Sequence, residues 1–432
     1  MTSEPKPAGQ GGQADEAYVW IWLPGAIEPV VAGRIAPEGS LYVFNYGRSY
    51  LDRADAIPIY LPELPLGRGA ITPTPPLDMA SSLRDGAPDA WGRRVIINRL
   101  TGLGGAAAQN VEFDELTFML NSGSDRIGAL DFQASAERYV AREQENATLE
   151  ELLEAAERVE RGESIPPALD KALFHGSSIG GARPKALIQD GDTKFIAKFS
   201  ATNDTYAVVK AEYIAMRLAS QAGLRVAPVR LAKANGKDVL LVRRFDREYR
   251  DGIWLRRGMV SALTMLGLSE MQARHASYIE LAEIVRVRFT NAQSTLRELF
   301  ARMVFNVLTG NSDDHARNHA AFWDGENLTL TPAYDICPQA RTGRETNQAM
   351  AVHGEDRRSL LENCRLSAST FLVGDADARD VIASQIASIR AGWNEVCDEA
   401  QLSEIDRAFL WRRQFLNDYA FEGYADGAPK NL

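Results

Sequence analysis

The sequence predicts an α+β protein, in which strand-like runs come first, a mixed block follows and helical patterns dominate the C-terminal part. Short alternating runs that end in turn residues are typical of an antiparallel sheet. An Asp-Gly pair at 190–191, between two further runs, predicts a hairpin. Apolar residues at helical spacing predict a buried helix that ends at Gly310. The N-terminal strand-like runs are 18–23, 29–35 and 41–46.

Composition restricts the class of protein. The 432 residues carry a net charge of −10, which argues against a broad nucleic-acid-binding surface because phosphate neutralisation needs clustered Lys and Arg. No apolar run approaches the roughly 20 residues that a membrane-spanning helix needs, so no membrane association is expected. Cys337, Cys364 and Cys397 form neither a zinc pattern nor a disulfide framework, which favours a reducing, cytoplasmic location.

Shifts in pattern divide the chain into four parts. Residues 1–16 are rich in Gly, Pro, Gln and Ser and are predicted to be a disordered tail. Residues 17–150 are predicted to form a β-rich subdomain with helices, residues 151–250 a compact mixed block, and residues 251–432 a helical part. The first internal boundary falls in a charged helical pattern, 141–162, that lacks a strong apolar face.

Two charged pairs in the mixed block have more than one interpretation. Lys198 lies on the opposite strand face from its apolar neighbours, where a lysine is usually solvated. Glu212, on the helix predicted at 206–222, is either its partner or an ordinary surface acid. Arg244 and Asp246 either serve a site or pair at a strand end.

The densest polar stretch is GNSDDHARN at 310–318, which we call the acidic loop. It follows the buried helix, whose start is predicted at Thr295 because Glu298 has the capping-box spacing from it. Loops with this many hydrogen-bonding side chains, held by a rigid apolar element, are where catalytic residues concentrate. A short strand predicted at 328–330 then leads to Asp335.

Four separated features together indicate phosphoryl transfer. A glycine- and serine-rich stretch at 175–185, the Gly/Ser loop, offers backbone N–H groups to phosphates, and Lys198 offers a neutralising charge. The acidic loop and Asp335 offer magnesium ligands and a group that orients the attacking hydroxyl. Magnesium needs few carboxylates when phosphate oxygens complete its shell, so Asn318 and Asp335 would suffice with ATP.

The order and spacing of five motifs resemble those of the HipA family, serine/threonine kinases that act as toxins of bacterial toxin–antitoxin pairs. The resemblance covers nearly the whole chain. It implies a two-lobed, protein-kinase-like fold akin to the phosphoinositide-3/4-kinase-like group, with an N-terminal β subdomain, a nucleotide lobe at 151–250 and an all-helical catalytic lobe. The motifs are SIGGARPK (178–185), IAK (196–198), RFDR (244–247), GNSDDHARN (310–318) and PAYD (332–335).

Carried over residue by residue, the resemblance implies that Asp313 is the catalytic aspartate and that Asn318 and Asp335 hold magnesium. Lys198 would contact the α and β phosphates of ATP. Ser178 would be an autophosphorylation site that switches the kinase off. Further nucleotide contacts are implied for Gly180, Gly181, Ala182, Arg183, Pro184, Lys185, Arg243, Arg244, Phe245, His315 and Tyr334.

The resemblance also implies partners. The family's usual partner is a small helix-turn-helix antitoxin that binds the operator, so DNA is expected only through that partner, and its protein substrates include aminoacyl-tRNA synthetases. Three positions depart from the expected pattern: Arg243 replaces an acid, Asp314 a glycine and Arg317 a lysine. These departures leave the base and magnesium positions intact and concern adenine contacts and substrate preference.

Two other functions stay open from the sequence. Asp313, Asp314, His315 and His319 could ligate a metal in a hydrolase, because His315 and His319 have the i, i+4 spacing of one helix face. That interpretation leaves Lys198 and the Gly/Ser loop without a role. An inactive co-regulator of a helix-turn-helix repressor would not need a candidate base, two metal ligands and a phosphate-binding lysine together.

Overall fold

Contacts divide the protein, for which we have a computed structural model, into two compact units. The first is Met1–Asp192 with Tyr249–Arg256, and the second is Thr193–Glu248 with Arg257–Leu432. Most of the predicted tail and Gly180 lie outside the described residues, and the predicted division at 150 and 250 stays a prediction. The described residues are 14–104, 108, 111–142, 147–163, 165–166, 169, 174, 176–178, 181–341 and 343–424.

The first unit contains a five-stranded antiparallel sheet, which confirms the predicted N-terminal sheet. Val19 and Ile35 of the sheet pack in one core with Leu116 and Met119, which lie on a helix. In spatial order the strands are Ala70–Ile71, Leu41–Tyr46, Val30–Glu38, Ala17–Ile21 and Leu130–Gln133. The helices are Arg48–Leu51, Ser81–Arg84, Ala90–Thr101, Glu115–Asn121 and Leu149–Arg161.

The helix Leu149–Arg161 corrects one expectation. The sequence predicted a charged helix without a strong apolar face, yet Leu152, Ala155, Ala156 and Val159 are buried. Their i, i+3, i+4, i+7 spacing is that of a core-facing stripe. The stripe was missed because Glu and Arg residues lie between its apolar residues in the sequence.

The second unit begins with an antiparallel sheet, and the helix Val208–Gln221 packs against it. In spatial order its strands are Thr193–Lys198, Lys237–Arg243 and Val229–Ala234. Two residues, Gly191 and Asp192, separate the end of the preceding strand, Lys185–Asp190, from Thr193. Gly191 has a φ of +60°, as the predicted tight turn requires. The strands Arg247–Arg250 and Ile253–Arg256 follow in the chain, and residues Tyr249–Arg256 belong to the first unit.

The rest of the second unit is mainly but not entirely helical, which corrects the predicted all-helical lobe. Met259–Ser261, Ala320–Trp323 and Leu328–Leu330 form a three-stranded antiparallel sheet. Strands of three or four residues are too short for an alternating pattern to stand out. The α-helices are Ala262–Met265, Tyr278–Arg288, Ala292–Thr309, Leu361–Ser367, Asp375–Glu399 and Glu404–Leu410, and the 3-10 turns are Glu270–His275, Ala316–Asn318, Ala368–Phe371 and Asp418–Phe421.

The helix Ala292–Thr309 ends as predicted but starts earlier. Its N-cap is Asn291, without a side-chain cap, so the predicted capping box from Thr295 is wrong. Glu298 instead accepts a hydrogen bond from Arg302 Nε at 2.9 Å. Gly310 ends the helix with a φ of +67°, and a Cβ there would lie 2.8 Å from the Gln414 carbonyl oxygen.

Two further observations concern helix length and the cysteines. Across the described part of the chain, every helix is too short or too polar to span a bilayer. Cys337, Cys364 and Cys397 are buried free thiols.

Candidate active site

The acidic loop is fixed by backbone hydrogen bonds on both sides. Asn311 N donates to the Asn306 carbonyl of the preceding helix at 2.9 Å. Two later residues also bind the loop, because Gln339 N donates to the Gly310 carbonyl and Ala349 N to the Ser312 carbonyl, each at 2.9 Å. The loop therefore presents its side chains from a rigid backbone.

Lys198 is held between two carboxylates. Its Nζ lies 2.5 Å from Glu212 Oε1 and 2.6 Å from Asp335 Oδ1. Burial by itself lowers the pKa of Lys198, but the Asp335 and Glu212 carboxylates outweigh burial and raise the pKa above its ordinary value. The ammonium therefore stays charged, and the structure favours the Glu212 pairing over a solvated lysine.

Asp313 lies at the surface of the acidic loop. Nearby protein atoms partly desolvate its carboxylate, which raises the pKa of Asp313 above its ordinary value. His315 acts in the opposite direction, and the charge of Asp335 raises the pKa further. The structure therefore brings Asp313 and Asp335, 22 positions apart in the sequence, within electrostatic reach of each other.

Asn318 and Asp335 supply oxygen ligands of the kind that magnesium prefers. The Asn318 amide donates through Nδ2 to the Asp313 carbonyl at 3.3 Å, which leaves its oxygen as the group that can bind a cation. Asp335 has a φ of +60°, a backbone conformation rarely adopted outside glycine. Such strain is often found at functional sites. The residues present fit a magnesium ion whose remaining ligands are phosphate oxygens and water.

The predicted hydrolase ligand set is not assembled. Ala316–Asn318 is a 3-10 turn, so His315 and His319 do not share an α-helical face. His319 Nε2 lies 3.0 Å from Asp314 Oδ2, whereas His315 Nδ1 is buried without a partner. Over the part of the chain that the structure describes, no three His, Cys, Asp or Glu side chains are placed to hold a metal ion.

An aromatic cluster lies at the predicted adenine position. Phe245 packs edge-on against Phe322 at 5.9 Å and also contacts Tyr334 at 5.6 Å between ring centroids. Arg257 places its guanidinium 3.3 Å from the centroid of the Phe322 ring. Phe322 and Arg257 were not found from the sequence. Phe322 lies within a short strand and Arg257 precedes another, and neither belongs to a recognisable motif.

The two arginines predicted beside adenine differ in environment. Arg243 is exposed at the end of its strand. Arg244 is buried and forms a bidentate pair with Asp246, at 3.0 Å from Nε and 2.7 Å from Nη2. This is the strand-end pairing that the sequence left open, and nucleotide contact by either arginine stays a prediction.

The Gly/Ser loop belongs to the first unit. At its C-terminal side, Gly181 N donates to Asp89 Oδ2 at 2.8 Å, and its carbonyl accepts from Trp91 N at 3.0 Å. Trp91 Nε1 also donates to the Lys185 carbonyl at 2.8 Å. The first turn of the helix Ala90–Thr101 therefore holds the loop backbone, together with Arg94, which donates to the Ala182 carbonyl.

The serines of this loop point into the first unit. Ser177 Oγ accepts a hydrogen bond from Gly123 N at 3.0 Å and donates to the Phe174 carbonyl at 2.7 Å. Ser178 is 4% exposed, with its Oγ 3.5 Å from the Asp125 carbonyl oxygen. Ser178 is therefore packed away from solvent in this conformation.

Comparison with known families identifies the chain. The model of the HipA-like C-terminal domain matches residues 177–393, about half of the 432 residues. The chain belongs to the HipA family. The HipA N-terminal domain model also matches, over residues 24–133.

Relatives of known sequence match over part of their length. The Y4mE protein of Sinorhizobium fredii is 32% identical over 33% of this chain and 33% of its own length. The serine/threonine-protein kinase toxin HipA of Shewanella oneidensis is 25% identical over 49% of this chain and 54% of its own length. The chain thus matches between a third and about half of these two curated proteins.

A solved structure shows the fold. The HipA of Shewanella oneidensis MR-1, in a complex with HipB and operator DNA, has a TM-score of 0.65 to this chain at 18% identity. The match covers 89% of this chain and 93% of that one. The HipA fold therefore extends over both units of this protein.

Sequence reasoning missed two polar residues behind the acidic loop. Tyr278 and Asn306 are buried and contact each other through a hydrogen bond of 3.4 Å. Asn306 lies on the buried face of the helix Ala292–Thr309. A polar residue inside that apolar stripe was the available signal.

Proposed function

We propose that this protein is an ATP- and magnesium-dependent serine/threonine protein kinase that acts as the toxin of a HipA/HipB-like toxin–antitoxin pair. The observation that carries the proposal is the charged arrangement in the second unit. Lys198 is fixed between Glu212 and Asp335, and Asp335 in turn acts on the pKa of Asp313. A fixed ammonium, a candidate base and two oxygen ligands are the groups that phosphoryl transfer uses.

Each group then has one task. Lys198 neutralises the α and β phosphates, and Glu212 keeps its ammonium in place. Asp313 accepts the proton of the attacking hydroxyl as that oxygen bonds to the γ-phosphorus and the bond to the ADP oxygen breaks. Asn318 and Asp335 hold the magnesium ion, which supplies neutralising charge to the phosphate oxygens when bound.

Nucleotide selection is assigned to the aromatic cluster and the Gly/Ser loop. Phe245, with Phe322 and Tyr334, offers apolar ring surface to a purine. Phosphate contacts by 180–185 follow from the family resemblance, as do the roles of His315 and of the hinge arginines.

Regulation by phosphorylation of Ser178 is part of the proposal. Ser178 faces a carbonyl oxygen in a buried position. A phosphoryl group adds a charge of about −1.5 to −2, and burial of that charge against a carbonyl oxygen is costly. Phosphorylation would therefore expel this part of the loop. Phosphopeptide mapping after incubation with ATP should find phosphate on Ser178, and phosphate confined to other residues would remove the self-inactivation model.

Partners and substrate are assigned by chemistry and resemblance. We propose a HipB-like helix-turn-helix antitoxin as partner, operator DNA through that antitoxin, and a translation factor such as an aminoacyl-tRNA synthetase as substrate in the cytoplasm. The phosphoinositide-3/4-kinase-like description of the lobes belongs to the same proposal.

The decisive experiment compares wild-type protein with Asp313→Ala. Asp313 is the candidate base, so the variant should lose about 10²–10⁴-fold in phosphoryl-transfer rate while ATP binding stays measurable. Phosphoproteomics after a short induction of both forms identifies the substrate. Wild-type rates in Asp313→Ala contradict the assignment. If the wild type shows no phosphoryl transfer either with or without magnesium, but still binds its partner, the result supports an inactive co-regulator instead.

The toxin role needs its own test. Expression should arrest growth, and co-expression of the neighbouring antitoxin gene should relieve the arrest. Harmless expression of an active kinase would separate the enzyme from the toxin role.

A further inference from the structure

A buried polar network lies behind the acidic loop. The Asp314 carboxylate, in a residue 3% exposed, accepts a hydrogen bond from the Tyr278 hydroxyl through Oδ2. The same oxygen lies 3.0 Å from His319 Nε2. The Tyr278 and His319 rings also pack edge-on, with centroids 5.4 Å apart and planes at 75°. An ionised carboxylate only accepts, so this geometry assigns the His319 proton to Nε2.

The network continues towards Asp335. Asn306 Nδ2 donates to the Tyr278 hydroxyl at 3.4 Å, and Asn311 Nδ2 donates to Asn306 Oδ1 at 3.0 Å. Asn311 Nδ2 also lies 3.5 Å from the Asp335 carbonyl oxygen. A chain of polar contacts thus runs from His319 through Asp314 to the backbone of Asp335.

The positions of these residues in the sequence are informative. Asp314 directly follows Asp313, the candidate base, and His319 directly follows Asn318, a candidate magnesium ligand. The contact between Asp314 and His319 therefore links the two ends of the segment that carries Asp313 and Asn318. The contact of Asn311 with the Asp335 carbonyl reaches the third functional position.

Burial of this polar network lowers the stability of the fold, so a role in packing alone does not account for it. A carboxylate buried at this depth must be paired and hydrogen-bonded. His319 Nδ1 and Asn311 Oδ1 are nevertheless buried without partners. Buried polar atoms left unpaired each reduce stability, so an apolar core at this place would be the simpler solution.

We propose that Asp314, His319 and Tyr278 are positioning residues that fix the spacing between Asp313, Asn318 and Asp335. This inference rests on the kinase function proposed above. It assigns a role to the departure at position 314, where the resemblance leads one to expect glycine. A glycine at 314 would have no side chain to contact His319, whereas Asp314 contacts both His319 and Tyr278.

The test separates positioning from stability. Tyr278→Phe and His319→Leu each remove one hydrogen bond to Asp314 and keep an apolar body of similar size. Each should lower kcat and raise the magnesium concentration for half-maximal activity by about 10–100-fold, as loss of a group that orients a metal ligand does. The KM for ATP at saturating magnesium should change little. His319→Gln, whose Nε2 can donate to Asp314, should restore most of the wild-type values.

A second readout does not depend on turnover. Calorimetry with a non-hydrolysable ATP analogue should show tighter binding with magnesium than without it in the wild type. His319→Leu should lose this magnesium-dependent increment and keep the magnesium-free affinity.

A matched control is Asp131→Asn, which removes a buried carboxylate charge of the first unit that meets Arg126 and Arg142. It should lower thermal stability without changing magnesium dependence. If Tyr278→Phe and His319→Leu behave like this control, the network is purely structural and the inference is wrong. If the wild type itself shows neither magnesium-dependent nucleotide binding nor turnover, the proposed function fails and the positioning role fails with it.

Discussion

The two loops that carry the predicted site are held in different ways. The acidic loop has a buried side-chain network besides its backbone hydrogen bonds, because Asp314 meets both Tyr278 and His319. In the Gly/Ser loop, Asp89 and Trp91 bind the backbone at the start of one helix, and the Ser177 hydroxyl adds two hydrogen bonds to main-chain groups.

This difference indicates different tasks. A loop locked by a buried network can keep a base and metal ligands at fixed distances, which electrostatic catalysis requires. A loop whose described contacts are individual hydrogen bonds, without a buried carboxylate network, can be released at lower cost, which a switch requires. The acidic loop is therefore suited to chemistry and the Gly/Ser loop to control, and three changes sharpen or break this contrast.

The largest effect among them is expected at Lys198. Lys198→Met removes the ammonium that lies between Glu212 and Asp335 and should lower kcat/KM by about 10²–10³-fold, as loss of a preorganised electrostatic group does. Steady-state kinetics with ATP measure the loss. Lys210→Met is the control, because Lys210 sits on the same helix as Glu212 but bonds to the Gln401 carbonyl. A similar loss in both variants would point to general instability.

An intermediate effect is expected at Gly92. A Cβ on Gly92 would lie 2.7 Å from the Ser177 carbonyl oxygen and 2.8 Å from Pro88 Cβ, so Gly92→Ala must push the loop away from the helix. Alanine is the better helix former by about 1 kcal/mol, so any loosening must come from this contact. Hydrogen exchange at 177–178 and the rate of Ser178 phosphorylation should both rise several-fold, roughly the range of a 1 kcal/mol change.

The matched glycine control is Gly67→Ala. Gly67 has open space around its Cβ position and an ordinary φ. It should leave both rates unchanged. Unchanged rates in Gly92→Ala as well would mean that the loop is not controlled from this helix.

The smallest effect is expected in the pH profile. A base works only when deprotonated, and partial burial together with Asp335 raises the pKa of Asp313. Activity should therefore fall on acidification at a pH above the pKa of an ordinary aspartate. His315 lowers this pKa, so His315→Gln should move the acid limb of kcat to still higher pH. An acid limb that stays in place in His315→Gln would show that another group limits the rate.

Much of the fold followed from local pattern. The N-terminal sheet, the turn at Gly191 and the end of the buried helix at Gly310 were all readable, because turn glycines and alternation act over a few residues. The short strands near 259–261 and 320–323 were not, since three or four residues give too little periodicity. The helix start at Ala292 was missed because it has no side-chain cap.

The same distinction between local pattern and tertiary contact applies to the candidate site. The sequence by itself determined which chemical groups are present and in what order: a lysine on a strand, two acids and two amides in one loop, and a late aspartate. Only the tertiary structure decided their partners. Lys198 meets Asp335 across 137 positions, and His319 pairs with Asp314 instead of joining a metal site. Local pattern reports the conformation of a segment, whereas hydrogen-bond partners depend on which segments the core brings together.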